Sequence, residues 1–455
     1  MESTQKIGSR DARLKSRGCL SCIRMKVKAM RRNEATLPEM PEFPQITVYT
    51  SPVPVSMPTD WIQCAVSYYF HNYVLTRTNG FPGYYDFLPR FYESNVEAGY
   101  FRNSVEAVAL ASFAQVKKMS PTYFRKSRQS YGLALTQLGF VLNNATEAYS
   151  PASLAAVALL WMYDVIMGED KLESRSPHRQ GLLEILRTRL SLNAYGEKWI
   201  NRPILATIHM QNIDKSTSSA GATLAVVPSP PFHRGVSLLE ELLPRVAKVS
   251  TANATLIQRT PNQAEARVGL GHLQHLFEDL ETWERSLPEE WLYKIYPNPI
   301  STDRSPFPSE VVVFPTLSIG GMWTAKWLAQ LSVLRNMVLL APIALKIGVP
   351  CPPLAEFRKQ IKSIAALLCS SIPYLLGHIA EDGKAKGTGN TPAIGAFFAI
   401  RSLFVTAQLP GLPDEQMNWI LDRLGEIGRE KGIRRALILR ESISGRRLAN
   451  LRQAP

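Results

Sequence analysis

The sequence predicts an all-α protein in which one large helical body follows a basic N-terminal segment and a proline-rich linker. From Trp61 onward, apolar residues recur at the three- and four-residue spacing of helices. Ser-Pro or Thr-Pro pairs precede several of these runs, and such pairs are typical of helix N-termini. Runs with the two-residue period of strands are few and short. With 455 residues, of which 45% are hydrophobic and 20% charged, the chain has enough apolar side chains for a large core.

The basic charge of the chain is concentrated at its two ends. Residues 1–32 hold ten lysines and arginines against two acidic residues, and residues 423–455 hold nine against three. The residues between them contain 33 basic and 33 acidic side chains. This distribution favours contact with a polyanion, or a nuclear-import signal, over a cationic body. A solvated tail without a partner is the alternative for such short basic runs.

Residues 33–60 are predicted to be a linker between the basic segment 1–32 and the body. Six prolines from Pro38 to Pro58 disfavour a helix here and bias the backbone to extended conformations. The predicted helical body then covers residues 61–445, and residues 446–455 form a basic tail.

Five hydroxyl-proline pairs predict where helices of the body begin. The oxygen of Ser or Thr can accept a hydrogen bond from a free amide of the first turn, and a following proline fits the first helical position. The fourth pair also has capping-box spacing, because Gln263 stands three residues after its threonine. The pairs are Ser120-Pro121, Ser150-Pro151, Ser176-Pro177, Thr260-Pro261 and Thr391-Pro392.

Within the body, the segment 152–163 is apolar nearly all round, which predicts a helix at the centre of the fold. Strand signals are confined to "QITVYT" at 45–50 and "EVVVFP" at 310–315. Two irregular stretches are predicted to be long loops: 214–235, rich in Ser, Gly and Pro, and 294–310, which holds four prolines.

The sequence carries no catalytic motif. G-x-S-x-G, H-E-x-x-H and the P-loop are absent, and "GKAKGTGN" at 383–390 lacks the preceding strand of a phosphate-binding loop. His272 and His275 lie near Glu278 on a predicted helix, and an ordinary polar helix face explains them better than a metal site. We therefore expect a protein that is not an enzyme.

The cysteines and apolar segments favour an intracellular protein without a transmembrane helix. Five cysteines are an odd number with no disulfide-like spacing. The N-terminus lacks the apolar stretch of a secretory signal. The apolar segment 154–168 is too short to span a bilayer and contains Asp164, and 338–350 contains two prolines and Lys346.

Residues 16–32, "SRGCLSCIRMKVKAMRR", combine a C-x-x-C step with a dense basic run. This stretch resembles the DNA-binding head of the fungal binuclear zinc-cluster transcription factors, in which six cysteines hold two zinc ions. The residues that match that pattern in register are Gly18, Cys19, Cys22, Lys26, Val27 and Lys28.

The resemblance implies zinc, but the cluster is incomplete in this chain. The third ligand of the pattern would be residue 29, which is Ala29, and the next cysteine, Cys64, lies beyond the linker. Two thiolates cannot complete even one tetrahedral zinc site. Since such a small module owes its fold to the metal, we expect 1–32 to be a basic, largely disordered remnant without stoichiometric zinc.

The body resembles the long helical regulatory domain that follows the zinc cluster in the same family. The resemblance rests on the order of helical segments over roughly 61–445. In "SPHRQGLLEILRTR", His178, Gly181 and Leu183 occupy places where that domain typically has H-x-x-G-x-L. Other similar segments are "SVEAVALASFAQ", "SLAAVALLWMYDVIMG", "LETWERSLPEEW" and "SIAALLCSSIPYLLG".

The resemblance implies a nuclear transcriptional regulator of a secondary-metabolite or nutrient gene set. Its partners would be DNA and either a second copy of the chain or transcriptional co-regulators, with no membrane. The DNA-contacting residues would be Arg24, Lys26, Lys28, Arg31 and Arg32, and Cys19 and Cys22 would be remnant metal ligands.

The alternative is a helical interaction protein, or a dominant-negative regulator, that has lost sequence-specific DNA binding. An error in the gene model, a missed splice boundary after Lys28 and a real loss of the cysteines would each produce the incomplete cluster. These explanations stay open at the level of the sequence.

Overall fold

A computed structural model describes residues 60–78, 81, 83–117, 121–144, 146–169, 176–191, 200–201, 204, 208, 234–302, 307–387 and 391–453. Over these residues the secondary structure is almost entirely helical, which confirms the predicted all-α class. The segment 1–32, the linker up to residue 59, the predicted strand 45–50 and residues 214–233 of the first predicted loop lie outside the described residues.

The described residues form two compact units, and the ranges below refer to those residues alone. The first contains residues up to Tyr69, Phe91–Asp164 and Asp170–Ile185. The second contains Phe70–Arg90, Val165–Glu169 and the chain from Leu186 onward. The body boundaries at 61 and 445 stay predictions, although the last helix continues beyond residue 445.

The first unit is built from helices with small and apolar buried faces. Its core includes the packed pair α3 (Gly99–Lys117) and α4 (Pro121–Val141). The hydroxyl of Ser127 on α4 donates a 2.8 Å hydrogen bond to the carbonyl of Ala107 on α3. The next helix is buried from Ala152 to Met167, as the all-round apolar run at 152–163 predicts. The helices that supply this unit, wholly or in part, are α1 (Trp61–Tyr73), α2 (Leu88–Ser94), α3 (Gly99–Lys117), α4 (Pro121–Val141), α5 (Pro151–Met167) and α6 (Pro177–Ser191).

The second unit is organised around one long helix, α9 (Leu317–Lys346). It packs against α7 (Arg234–Gln258), α8 (Gln263–Arg285), α10 (Leu354–Leu376) and α11 (Ala393–Thr406). α11 is buried along its whole length, as its nearly continuous apolar sequence requires. The helices of this unit are α7 (Arg234–Gln258), α8 (Gln263–Arg285), α9 (Leu317–Lys346), α10 (Leu354–Leu376), α11 (Ala393–Thr406), α12 (Asp414–Glu430) and α13 (Arg434–Gln453).

By length and composition alone, α9 could cross a bilayer: it has 30 residues and an 18-residue window of mean hydropathy 1.6. Yet 67% of that window is buried inside the protein. Near the middle of α9, the buried ammonium group of Lys326 pairs with the carboxylate of Glu284 on α8. A buried charge needs such a partner, and the pair fixes α9 against its neighbour as a core helix.

Two of the predicted helix caps are confirmed. The hydroxyl oxygen of Ser150 accepts a 3.1 Å hydrogen bond from the amide of Ser153 in the first turn of α5. The hydroxyl oxygen of Ser176 accepts one of 3.4 Å from the amide of Arg179 in α6. Ser120 lies outside the described residues, although α4 begins at Pro121 as predicted.

The predicted cap at Thr260 is wrong, because α8 begins two residues later. Asn262 caps it: its side-chain oxygen accepts a 2.9 Å hydrogen bond from the amide of Glu265, whose carboxylate accepts one of 3.1 Å from the amide of Asn262. This capping box satisfies two amides at once, whereas Thr260 stands in a turn with φ +57°. The cap predicted at Thr391 is also wrong, since Pro392 is the N-cap of α11 and no side chain caps that helix.

The predicted loop at 294–310 is wrong at both of its ends. Strands β1 (Lys294–Pro297) and β2 (Glu310–Val313) form an antiparallel pair in which Ile295 faces Val312. The predicted strand at 310–315 is therefore present over its first four residues. β2 packs on α10 with Val311, Val312 and Val313 buried, and this burial holds the hairpin in place despite the prolines of β1 and its loop.

Candidate functional site

The site residues that the sequence predicts lie outside the described residues. They are the DNA-contacting candidates Arg24, Lys26, Lys28, Arg31 and Arg32 and the remnant zinc ligands Cys19 and Cys22. Their roles stay predictions.

Within the described part of the chain, no three His, Cys, Asp or Glu side chains are grouped as a metal ion would require. His272 and His275 are exposed on α8. His275 Nδ1 lies 3.6 Å from a carboxylate oxygen of Glu278, one turn further along the same helix. This arrangement is that of a polar helix face, as the sequence predicts.

The basic residues of the C-terminal patch are partly used inside the second unit. Arg447 on α13 pairs with Asp414 on α12 at 2.6 Å and donates to the side chain of Asn418 at 3.0 Å. Arg440 donates to the carbonyl of Leu421 at 3.1 Å. These contacts fasten α13 to α12, so Arg440 and Arg447 stabilise the fold.

A charged network joins α12 to the loop that follows α10. The carboxylate of Glu426 lies 2.6 Å from His378 Nε2 and 2.6 Å from a guanidinium nitrogen of Arg423. Burial alone would raise the pKa of Glu426, but the hydrogen bond from His378 and the positive charges of Arg423 and Lys431 outweigh it and hold the pKa below its usual value. Glu426 is therefore ionised at neutral pH.

Lys431 contributes to the same network from the end of α12. Its ammonium group donates a 3.3 Å hydrogen bond to the carbonyl of Thr391, immediately before α11. Burial lowers the pKa of Lys431, and the negative charges of Glu426 and Glu430 partly offset that effect. The network therefore connects α12, the start of α11 and the end of α10 through charged groups.

The first unit holds a polar cluster in its core, formed by Tyr131 of α4, Asp164 of α5 and His178 of α6. The Tyr131 hydroxyl lies 2.7 Å from His178 Nε2 and donates a 3.1 Å hydrogen bond to Asp164. His178 Nε2 is also 3.7 Å from the other carboxylate oxygen of Asp164. The ring of Tyr163 stacks on that of Tyr131 with 4.3 Å between centroids.

Chemically, this cluster joins a phenol, an imidazole and a carboxylate. All three side chains are less than 5% exposed, so the cluster offers no group to a substrate in solvent. Buried polar networks of this kind fix the relative positions of the helices that carry them. The cluster therefore defines the packing of α4, α5 and α6.

Sequence reasoning singled out His178 only through the family resemblance and did not find its partners. Tyr131 precedes His178 by 47 residues, and Asp164 sits in a run that the sequence marks only as apolar. Asp164 is itself the available signal, because a carboxylate within a fully buried helix requires a polar partner.

Comparison with known proteins gives one relative across most of the chain. Over 405 residues the chain is 22% identical to "Transcription factor dbaG" of Emericella nidulans, and the aligned region covers 83% of this chain and 90% of that protein. No family model matches the chain, and no solved structure matches it. The chain is thus similar, along nearly its whole length, to a protein named as a fungal transcription factor.

Proposed function

We propose that this chain is a transcriptional regulator of the fungal zinc-cluster type. The observation that carries the proposal is the similarity to a named transcription factor over 83% of the chain. The basic C-x-x-C segment at 16–32 and the all-helical body support it, because they follow one another in the order that this class of regulator has.

In this proposal the protein works in the nucleus and controls a secondary-metabolite or nutrient gene set. The helical body carries the regulatory role, and the N-terminal segment contacts DNA through Arg24, Lys26, Lys28, Arg31 and Arg32. Lysine and arginine side chains bind phosphates whatever the base sequence, so these residues supply affinity. A second copy of the chain, or transcriptional co-regulators, would bind to the helical body. No catalytic activity is proposed.

A second candidate is a helical interaction protein or dominant-negative regulator. The observation that favours it is Ala29, which stands where the third zinc ligand of the family belongs. Without a metal-supported fold, no helix is held in the major groove to read base edges. Such a protein would act by pairing with intact regulators.

The deciding experiment compares transcript profiles of a fungal strain that lacks the gene and carries back either the full chain or a variant. The variant replaces Lys26, Lys28, Arg31 and Arg32 with Ala, and the matched control replaces Lys6, Arg10, Arg13 and Lys15 with Ala. We expect the full chain and the control to restore a defined transcript set and to accumulate in the nucleus, and the variant to fail in both.

If the variant enters the nucleus and restores the transcript set, the result would favour the helical interaction protein. A deletion that leaves every transcript unchanged would overturn the proposed role in transcription.

A further inference from the structure

A groove of about 620 Å³ opens on the second unit. Its walls come from the first turn of α9, the loop 377–387 that follows α10, the start of α11 and the segment Leu75–Thr78. This volume lies within the range of roughly 300–1,000 Å³ found for small-molecule sites. The groove is therefore large enough for a metabolite.

The walls of the groove combine apolar surface with hydroxyl groups. Leu75, Leu317, Ile379 and Pro392 supply aliphatic side chains. Small-molecule sites share this composition, in which a few polar groups orient a ligand against mostly apolar walls. The hydroxyl groups belong to Thr76, Thr78, Thr316, Ser318, Tyr374 and Thr391.

Thr391 is a deeply placed polar residue of the wall. It is 7% exposed, and its hydroxyl oxygen has no hydrogen-bond partner within the described chain. It packs against Gly377, which has φ +82°, and a Cβ atom at that position would overlap the Thr391 hydroxyl. A buried hydroxyl without a partner is uncommon in a folded protein and needs a physical reason. The close packing of Thr391 against Gly377 encloses that oxygen. The hydroxyl groups that a ligand in the groove can reach are those of the exposed Thr76 and Thr78.

The loop 381–386, which lines one side of the groove, carries equal numbers of acidic and basic side chains. Glu381 and Asp382 line the groove together with Lys386, and the ammonium group of Lys384 lies 2.9 Å from the Asp382 carboxylate. This loop therefore holds two carboxylates and two ammonium groups, of which Asp382 and Lys384 form an ion pair. A charged ligand would therefore lie close to a group of its own charge. The loop offers no excess of opposite charge to compensate that repulsion.

We infer that this groove binds an uncharged small molecule that has an apolar ring body and at least one hydroxyl or carbonyl group. The apolar walls cover the ring, and the wall hydroxyls exchange hydrogen bonds with the polar group. The regulatory meaning of this site rests on the proposed function, in which the ligand is an effector. The loop 377–387 carries His378, so an occupant of the groove lies beside the contact between His378 and Glu426 of α12.

The test is a fluorescence titration of the purified full chain with 2-naphthol, an uncharged bicyclic ring with one hydroxyl group. Naphthalene, which lacks the hydroxyl, and 2-naphthoate, which carries a negative charge, are the comparison probes. We expect saturable binding of 2-naphthol, with each comparison probe at least about fivefold weaker, the equivalent of one hydrogen bond.

Two substitutions place the binding in the groove. Ser318→Trp fills the groove and should abolish binding, whereas the same change at Ser309, an exposed residue outside the groove, should leave it intact. Thr76→Val removes one wall hydroxyl with little change of shape and should weaken 2-naphthol binding without affecting naphthalene. Circular dichroism and melting temperature establish that each variant is folded.

Absence of saturable 2-naphthol binding, or binding that persists unchanged in both Ser318→Trp and Thr76→Val, would overturn the inference. Preferential binding of 2-naphthoate would equally overturn the uncharged ligand class. The titration uses purified protein, so a chain that controls no transcript would still show the binding. Failure of the proposed function and failure of this site are therefore distinguishable.

Discussion

Tyr131 and His178 are joined by a 2.7 Å hydrogen bond between the phenol oxygen and Nε2 in the core of the first unit. Asp164 shares the same hydroxyl from α5, so one oxygen atom connects three consecutive helices. In a dry interior such a bond is stronger than in water, and losing it leaves costly unpaired groups. The polar cluster should therefore matter for stability.

Tyr131→Phe tests this contribution. The substitution keeps the ring and its stack on Tyr163 but removes the hydroxyl that Asp164 and His178 share. We expect the free energy of unfolding, measured by urea denaturation, to fall by about 1–3 kcal/mol. Tyr123→Phe is the matched control, because it also removes a tyrosine hydroxyl and keeps the ring. That ring packs edge-on against Trp61, with 5.8 Å between the ring centroids. Equal effects of the two substitutions would show that the cluster adds nothing to stability.

Leu160→Asp should unfold the first unit. Leu160 is fully buried at the centre of α5, and a lone carboxylate there costs several kcal/mol, against a total stability of roughly 5–15 kcal/mol for a typical domain. Circular dichroism and thermal melting provide the measurement. Leu133→Asp on α4 is the matched control, because Leu133 is 46% exposed and the new charge stays hydrated. An unchanged melting curve for Leu160→Asp would contradict the burial of α5.

Glu426 should make the stability of the second unit depend on pH. Its lowered pKa means that the folded protein holds the ionised form more strongly than the unfolded chain does. The contribution is therefore complete above the ordinary value of 4.5 and is lost as the pH falls through the lower folded value. We expect Glu426→Gln to destabilise by about 1.5–3 kcal/mol at neutral pH, where a hydrogen bond to a charged group is lost.

Urea denaturation at several pH values measures this effect. The difference between the native chain and Glu426→Gln should shrink as the pH falls below 4.5. Glu441→Gln, at an exposed position on α13, serves as the control. A difference that stays constant down to the lowest pH at which the protein is folded would count against the network.

Purified full chain should contain no stoichiometric zinc. Cys19 and Cys22 are two thiolates where the family pattern has six, and Ala29 removes the third. Elemental analysis after dialysis without chelator provides the measurement. One or two zinc ions per chain would refute the prediction, and loss of such zinc on changing Cys19 and Cys22 to Ser would locate it.

DNA binding by the full chain should be weak, independent of base sequence and steeply dependent on salt. Each phosphate neutralised by the ten basic residues of 1–32 adds roughly 0.9 to the slope of log affinity against log salt. Replacing Lys26, Lys28, Arg31 and Arg32 with Ala should lower that slope by up to roughly 3.6. Replacing Arg358, Lys359 and Lys362, exposed basic residues of α10, should leave it unchanged. Strong preference for one duplex over its scrambled version would refute non-specific binding.

The features that the sequence predicts correctly depend on neighbouring residues. The caps at Ser150 and Ser176 follow from a hydroxyl, a proline and an apolar run within one turn. The cap predicted at Thr260 is wrong for an equally local reason, because Asn262 and Glu265 form a capping box that starts two residues later. The pairing of Ile295 with Val312 joins two short segments across a loop with prolines. It is stabilised by the burial of β2 in tertiary contacts, which the local sequence does not reveal.

Sites built from distant segments were beyond sequence reasoning. The contact between Tyr131 and His178 spans 47 residues, and the groove brings Thr76, Ser318 and Thr391 to one surface. Neither arrangement has a periodicity or a spacing that a single sequence reveals. The helical class and the apolar centre at 152–163, in contrast, carry a signal long enough to be recognised.

The apolar length of α9 has a consequence for the synthesis of this protein. The helices that cover it emerge from the ribosome in two groups: α7 and α8 before it, α10 and α11 after it. At a synthesis rate of roughly 5–20 residues per second, the 60 residues from 347 to 406 take roughly 3–12 s. During that interval α9 presents to chaperones and to the membrane-targeting machinery a segment with the length and hydropathy of a membrane anchor. Glu284 has already been synthesised by then, so pairing Lys326 with it is an early step that can commit α9 to the protein interior.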